Sequence, residues 1–131
     1  MLRVQSKLSK ELESLIHRTI GCLIAVHRAL GPGLLEGIYC RAVSLELKES
    51  QIPFEREKAV PVSYRGHLLC HHRLDLIIAG SLIVEIKAVD RLAPVHKAQL
   101  LSYLRLTGVQ VGLLVNFNVA VLQDGLKRIV L

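Results

Sequence analysis

The sequence predicts an α/β domain in which a mixed β-sheet is flanked by helices, and three observations support this prediction. Two amphipathic helical patterns occupy residues 9–50. Two apolar strands then surround the tight turn Ala79-Gly80-Ser81. A strand–helix–strand unit follows over residues 82–116, where we expect a right-handed parallel crossover. Elements in this order form a sheet with helices on its faces.

Length and charge limit the possible functions. The chain has 131 residues, of which 51% are hydrophobic, which is enough for one core and too few for two domains. We therefore expect one domain over residues 1–131, with residues 1–8 as a loose lead-in. The net charge of +6 favours acidic partners such as nucleic acid, although many basic proteins bind none. No apolar stretch reaches the length of a membrane span, so no membrane partner is expected.

The three cysteines, Cys22, Cys40 and Cys70, are far apart and odd in number. Because they form no CxxC pair, they indicate neither a zinc knuckle nor an iron–sulfur cluster. Free thiols suit a reducing compartment, and the N-terminus lacks the apolar run of a signal peptide. We therefore expect a cytoplasmic protein.

The N-terminal part of the chain predicts two helices separated by Gly31-Pro32-Gly33, which should end the first of them. Ser9 is expected to cap the first helix. The second helix is expected over residues 34–50, with Glu36 in its first turn, where a negative charge suits the helix dipole. That dipole role is the simplest interpretation of Glu36. The predicted core face of the second helix consists of Leu35, Ile38, Tyr39, Ala42, Val43 and Leu45.

The middle of the chain predicts a hairpin. Residues 54–64 alternate apolar and charged side chains, as an edge strand does, and Arg65-Gly66 predicts the turn to a return strand over residues 67–72. His71 and His72 are adjacent, so they point to opposite faces of a strand and cannot bind one metal ion. We expect both histidines to be solvated.

The last third predicts a helix and a buried strand. Pro94 fits the first turn of a helix that continues to about Leu106. Gln99 and Tyr103 are four residues apart and share a face of that helix, where His96 could join them. Residues 110–116 form a strongly apolar strand, and short strand-like segments complete the chain.

Three charged side chains, Asp75, Glu85 and Lys87, interrupt the apolar strands. Strands this apolar are usually buried on both faces, and a buried carboxylate is costly unless it is paired or binds a cation. Glu85 and Lys87 lie on the same side of their strand, because side chains alternate. A divalent cation held by oxygen ligands explains the cluster, and a plain Glu85–Lys87 ion pair also explains it. The spacing leaves both interpretations open.

Asp75, a hairpin and then Glu85-x-Lys87 resemble the signature of the PD-(D/E)xK nucleases. Gln99-x-x-x-Tyr103 resembles the additional motif of their exonuclease branch. Gly33-Leu-Leu-Glu36-Gly-Ile-Tyr39 is similar to the motif that names the GxxExxY protein family, a small group within this superfamily. The resemblance extends over residues 20–131 and implies a restriction-endonuclease-like mixed sheet flanked by helices. One departure from the signature is Leu74, which stands where proline often precedes the aspartate.

The resemblance implies a Mg²⁺-dependent nuclease that hydrolyses phosphodiester bonds, with DNA as the expected substrate. A water activated by Mg²⁺ or Mn²⁺ would attack phosphorus. Lys87 would position that water or balance the charge of the transition state, and Gln99 and Tyr103 would orient Lys87 or a phosphate. The metal ligands implied by the resemblance are Asp75, Glu85, Glu36 and the carbonyl oxygen of Ile86.

A second interpretation belongs to a different functional class, a non-catalytic nucleic-acid-binding or protein-interaction module that keeps the nuclease fold. The intact Asp75, Glu85, Lys87, Glu36 and Gln99 argue against a lost activity, whereas the small size leaves no separate DNA-reading domain. A homodimer would supply a second cleft for duplex DNA. A third interpretation is a basic α/β domain with an incidental ion pair.

Overall fold

A computed structural model describes residues 7–131 of the protein. Its three helices are α1 (Lys10–Leu30), α2 (Glu36–Glu49) and α3 (Pro94–Thr107). Its strands are β1 (Phe54–Tyr64), β2 (His67–Ile78), β3 (Leu82–Lys87), β4 (Val111–Asn116) and β5 (Leu126–Val130), and a short 3-10 helix, Leu122–Gly125, precedes β5.

The predicted lead-in, residues 1–8, falls mostly on residues 1–6, which lie outside the described residues. Leu8, the last residue of that segment, is buried in the hydrophobic core, so the core begins before the predicted boundary. No helix within residues 7–131 is both long and apolar enough to cross a membrane.

The strands form one mixed sheet in the order β1-β2-β3-β4-β5. The central strand β3 is parallel to β4, and the other neighbouring pairs are antiparallel. The helix α3 connects the two parallel strands, as the pattern over residues 82–116 predicts. The predicted α/β fold with a mixed sheet and flanking helices is therefore confirmed.

The sheet separates two hydrophobic clusters, and side-chain alternation on β3 contributes to both. Val84 packs on the face covered by α1 and α2, whereas Ile83 packs on the face covered by α3. Both β3 and β4 are therefore buried on two sides, as their continuous apolar sequences indicate.

Local signals explain where the helices begin and end. The Ser9 hydroxyl caps α1 by accepting the N–H of Leu12 at 3.1 Å, as predicted. Gly31 ends α1 with a left-handed φ of 67°, which a glycine adopts without steric cost. His96 caps α3 by accepting the N–H of Ala93 at 2.9 Å. This role differs from the predicted one, in which His96 joins Gln99.

The predicted core face of α2 is wrong for Leu35, Ile38 and Leu45, which are exposed. The side chains that α2 buries are Tyr39, Val43, Ser44 and Leu47. Residues two apart on a helix differ in direction by roughly 200°, so burial of Leu47 turns Leu45 outward. Leu35 precedes the first helical turn and lies outside the packed stripe.

The β1–β2 hairpin is longer than the rest of the sheet. Its predicted turn at Arg65-Gly66 is confirmed, with positive φ angles of 50° and 78°. The sequence predicts a return strand over residues 67–72 and a separate apolar strand from residue 73, but β2 runs through both. β2 pairs with β3 only through Leu76, Ile77 and Ile78. The outer part of β2 therefore has β1 as its one strand neighbour among the described residues.

Candidate active site

The side chains of Asp75 and Glu85 meet where β2 and β3 separate. Backbone pairing between these strands ends at Leu76 and Val84. One residue further, Asp75 Oδ2 accepts a hydrogen bond from the N–H of Ile86 at 2.8 Å. Glu85 Oε1 in turn accepts the N–H of Asp75 at 3.4 Å. The two carboxylates thus replace the backbone contacts and hold the strands together at this point.

The backbone is irregular around Asp75. Leu74 packs in the cluster on the α3 face and Leu76 in the opposite cluster, although residues two apart on a regular strand share a face. On β1, Glu57 lies between the register partners of these leucines and has a φ of 50°. Such a conformation costs on the order of 1–3 kcal/mol for a residue with a Cβ, and it is frequent at functional sites. The distortion takes Asp75 out of the strand alternation and toward β3.

Glu85 is buried, with 6% of its surface exposed. Burial and then the negative charge of Asp75 raise the pKa of Glu85 from 4.5 to about 8, against a weaker opposing effect of Lys87. Lys87 is half-buried and forms no ion pair within 4.0 Å with any residue of the described range 7–131. The plain Glu85–Lys87 ion pair is therefore not formed, and the two carboxylates lie together without a direct cationic partner.

The helix α2 brings Glu36 and Cys40 to the same end of the sheet. These residues are four apart and share a helical face. Burial raises the pKa of the Cys40 thiol to about 12, and the charges of Asp75, Glu36 and Glu85 act in the same direction while Arg56 opposes them. Cys40 thus lies within electrostatic reach of all three predicted carboxylate ligands.

The structure does not group Glu36 with the carboxylate pair in the described part of the chain. The side chain of Glu36 is exposed. Within residues 7–131, no group of three or more His, Cys, Asp or Glu side chains is arranged to hold a metal ion. The structure therefore brings Asp75 and Glu85 together, and the participation of Glu36 in a metal site stays a prediction.

The helix α3 approaches the pair from the opposite face of the sheet. Burial, followed by the charges of Glu85 and Asp75, raises the pKa of Tyr103. The Tyr103 ring stacks on His72 of β2, with centroids 4.1 Å apart and planes inclined by 20°. The prediction that His72 is solvated is therefore wrong, because its contact with Tyr103 of α3 leaves it half-buried. Gln99, one turn before Tyr103, is exposed.

Asn116 supports the site, although the sequence analysis assigns it no such role. Its Oδ1 accepts the N–H of Val89 at 3.1 Å, and its Nδ2 donates to the carbonyl of Val89 at 2.8 Å. These bonds fix the loop that follows Lys87, whose carbonyl accepts the N–H of Phe117 at 2.9 Å. A polar residue at the end of a buried apolar strand is the sequence signal that indicates such a role.

Tyr39 also has a supporting role that sequence reasoning missed. Its hydroxyl donates to the carbonyl of Gly31 at 2.6 Å and accepts the N–H of Leu34 at 3.1 Å. Its ring is fully buried and stacks on Phe117 with centroids 4.4 Å apart. The tyrosine of the Gly33–Tyr39 motif thus holds the loop that leads into Glu36.

A mixed sheet flanked by helices, with two carboxylates where two central strands separate, defines a restriction-endonuclease-like fold. The chain matches the family model of the PD-(D/E)XK nuclease superfamily over residues 13–129, and it belongs to that superfamily. No curated protein and no solved structure matches the chain. Nucleases of this superfamily generally use divalent metal ions. Membership of the superfamily indicates that the substrate is a nucleic acid.

Proposed function

We propose that this protein is a Mg²⁺-dependent nuclease that hydrolyses phosphodiester bonds of DNA. The observation that carries the proposal is the meeting of Asp75 and Glu85 where β2 and β3 separate. Neither carboxylate has an ion-pair partner within residues 7–131, and burial raises the pKa of Glu85. A structural ion pair would not leave two carboxylates in this state.

The residues at this point fit a hard divalent cation. Carboxylate and carbonyl oxygens are the ligands that Mg²⁺ prefers, and it keeps several waters in addition. Asp75 and Glu85 would hold Mg²⁺ or Mn²⁺, with the carbonyl of Ile86 beside them and Glu36 contributing from the first turn of α2. When bound, the ion supplies positive charge that activates water and balances charge on the phosphate. Such a charge would also relieve the repulsion between the two carboxylates.

Three further residues would act on the substrate. Lys87 forms no ion pair in the described chain, so its ammonium is available to a phosphate or to the attacking water. The raised pKa of Tyr103 keeps its hydroxyl protonated, which lets it donate a hydrogen bond. Gln99 lies one turn before Tyr103 on the same helical face and would contact the substrate or Lys87. These contacts would be strongest as negative charge develops on phosphorus.

The test is incubation of the protein with labelled single- and double-stranded DNA in Mg²⁺, Mn²⁺ or EDTA. We expect cleavage with the metals, none in EDTA and none by Glu85→Gln. The matched control is Glu11→Gln, which neutralises an exposed carboxylate in the first turn of α1 and should cleave as the wild type does. Calorimetric titration should show that Asp75→Ala no longer binds Mg²⁺ or Mn²⁺.

Three outcomes would reject parts of this proposal. Equal metal binding by wild type and Asp75→Ala would remove Asp75 from the site. A wild-type protein that binds DNA but cuts neither DNA nor RNA with either metal would be the non-catalytic binding module. Cleavage of RNA alone would keep the chemistry and change the substrate.

The finer family placement and the assembly are also proposals. The role of Tyr39 beneath Glu36 supports placement among the GxxExxY proteins. A homodimer would supply one cleft for each strand of a duplex, and sedimentation tests it directly. Cys22, Cys40 and Cys70 are all free thiols, which supports a cytoplasmic location that cell fractionation can test.

A further inference from the structure

We infer that the outer part of the β1–β2 hairpin, residues 58–73, is an arm that binds double-stranded DNA beside the carboxylate pair. This inference rests on the proposed function and names its substrate class. β2 forms one of the two strands of the arm and also carries Asp75, so a ligand held at the base of the arm lies next to the site.

The arm is exposed on both faces. Every residue from 61 to 71 is exposed except Val62, which is half-buried. Only the base is packed, through Val60 and His72 and next to the buried Leu74. An isolated two-stranded hairpin is marginally stable in water, and this one buries little apolar surface beyond its base. Its length therefore contributes little to folding, and a ligand is the better explanation for it.

The arm is cationic and carries no carboxylate. Residues 58–73 contain Lys58, Arg65, Arg73 and three histidines, with no Asp or Glu. Two of the cations touch glutamates outside the arm, Lys58–Glu55 at 3.4 Å and Arg73–Glu57 at 3.8 Å. Both pairs are exposed, and exposed pairs are weak, so phosphates can replace these partners at small cost.

The shape of the arm favours duplex DNA over other partners. The major groove of B-DNA admits a two-stranded β-ribbon, whereas that of duplex RNA is deep and narrow. Tyr64, Leu68 and Leu69 are exposed on the arm and can contact sugars or thymine methyl groups. A second copy of the chain would bring two cationic arms together, and like charges oppose that arrangement.

The base of the arm is fixed to the site. His72 lies in the arm and stacks on Tyr103 of α3, whose pKa the charges of Glu85 and Asp75 raise. Arg73, the last residue of the arm, is two residues before Asp75. Duplex DNA bound along the ribbon is therefore directed toward the carboxylates.

The experiment measures binding of labelled duplex DNA in EDTA, where cleavage does not interfere. The arm variant is Lys58→Ser/Arg65→Ser/Arg73→Ser. The matched control, Lys7→Ser/Lys10→Ser/Lys48→Ser, removes the same charge from exposed lysines before α1, at its first residue and near the end of α2. For the arm variant we expect roughly 10²-fold weaker binding and a salt slope smaller by about three, because about one counterion is released for each phosphate contact. The control should bind as the wild type does.

A second variant tests the ribbon rather than its charge. Pro61 and His71 are register partners, so a two-residue Asn-Gly turn can replace residues 62–70 without disturbing the packed base. We expect this shortened protein to keep its thermal unfolding temperature and to bind duplex DNA more weakly, although it retains Lys58 and Arg73. Duplex binding equal to that of the wild type would overturn the inference, as would equal weakening of the arm variant and its control.

Two further outcomes would show that the arm binds a different partner. If shortening the arm converts a dimer to a monomer and leaves DNA binding unchanged, the arm is a contact between copies and the inference is wrong. Equal affinity for duplex RNA would also overturn it. Failure of the proposed function is distinguishable, because the wild type would then bind duplex DNA through the arm without cutting it.

Discussion

The two halves of the β1–β2 hairpin have opposite environments. In the inner half, Leu76, Ile77 and Ile78 are buried and pair with β3. In the outer half, residues 61–71 are exposed almost throughout. The boundary lies at Asp75, where the alternation of β2 is interrupted. One strand can therefore place a carboxylate through its packed half while its other half remains free to contact a ligand.

The largest expected difference between the halves is in stability. Leu76 is fully buried, so Leu76→Ala should cost about 2–5 kcal/mol in the free energy of unfolding through lost apolar burial and a cavity. Leu68, on the same strand, is 57% exposed, so Leu68→Ala should change it by less than about 0.5 kcal/mol. Urea unfolding measures both. Similar costs for the two variants would show that the arm packs against something in solution.

At the boundary, the expected effect is on the chemical step. Lys87→Ala should lower the cleavage rate by on the order of 10²–10³, because it removes a positive charge needed as charge develops on phosphorus. Its control is Lys127→Ala, an exposed lysine on β5. Single-turnover cleavage measures the rate, and calorimetry should show unchanged metal binding. If metal binding disappears together with cleavage, Lys87 supports the carboxylates rather than the transition state.

The same comparison shows what the sequence could predict. The inner elements followed from patterns with a local cause, such as the Ser9 cap, the Gly31 helix end and the continuous apolar runs of β3 and β4. The pairing of Asp75 with Glu85 followed from their positions around a tight turn. Local sequence patterns predict the structure correctly where residues that are close together in the chain determine it.

The sequence predictions are wrong where contacts between distant parts of the chain determine the structure. The apolar pattern of α2 shows which residues share a face, but packing against the sheet selects Tyr39, Val43 and Leu47 over Leu35 and Leu45. The contact between His72 and Tyr103 joins the hairpin to α3, which lies far along the chain, so no local pattern reports it. The hydrogen bonds of Tyr39 and Asn116 likewise depend on loops folding back onto them.

The same contrast between packed and exposed positions applies to the hydroxyl groups of Tyr39 and Tyr64. Tyr39→Phe should cost about 0.5–1.5 kcal/mol in the free energy of unfolding, because the partly buried carbonyl of Gly31 and the N–H of Leu34 lose their hydrogen-bond partner. Tyr64 is exposed at the arm, so Tyr64→Phe should leave the free energy nearly unchanged. Thermal and urea unfolding of both variants test this. Equal effects would mean that the Tyr39 hydroxyl does not hold the loop before Glu36.

The last prediction concerns the dependence of stability on pH. The pKa of Glu85 is 4.5 as an ordinary glutamate and about 8 in the folded protein, where burial and the charge of Asp75 raise it. Between these values the folded state holds a proton that the unfolded state has released. The free energy of unfolding should therefore fall as pH rises through this window, by up to about 1.4 kcal/mol per pH unit, and the contribution should be lost above it.

Urea unfolding in EDTA across this pH window isolates the contribution of Glu85 as the difference between wild type and Glu85→Gln. Asp75→Asn should reduce the slope, because the charge that raises the pKa of Glu85 is then absent. Glu11→Gln, in the exposed first turn of α1, should keep the wild-type slope. If Glu85→Gln also keeps the wild-type slope, Glu85 is ionised in the folded protein without metal. Water or a cation must then lie beside its carboxylate. A divalent ion added to the wild type should itself flatten the slope, since it stabilises the ionised carboxylates against the proton.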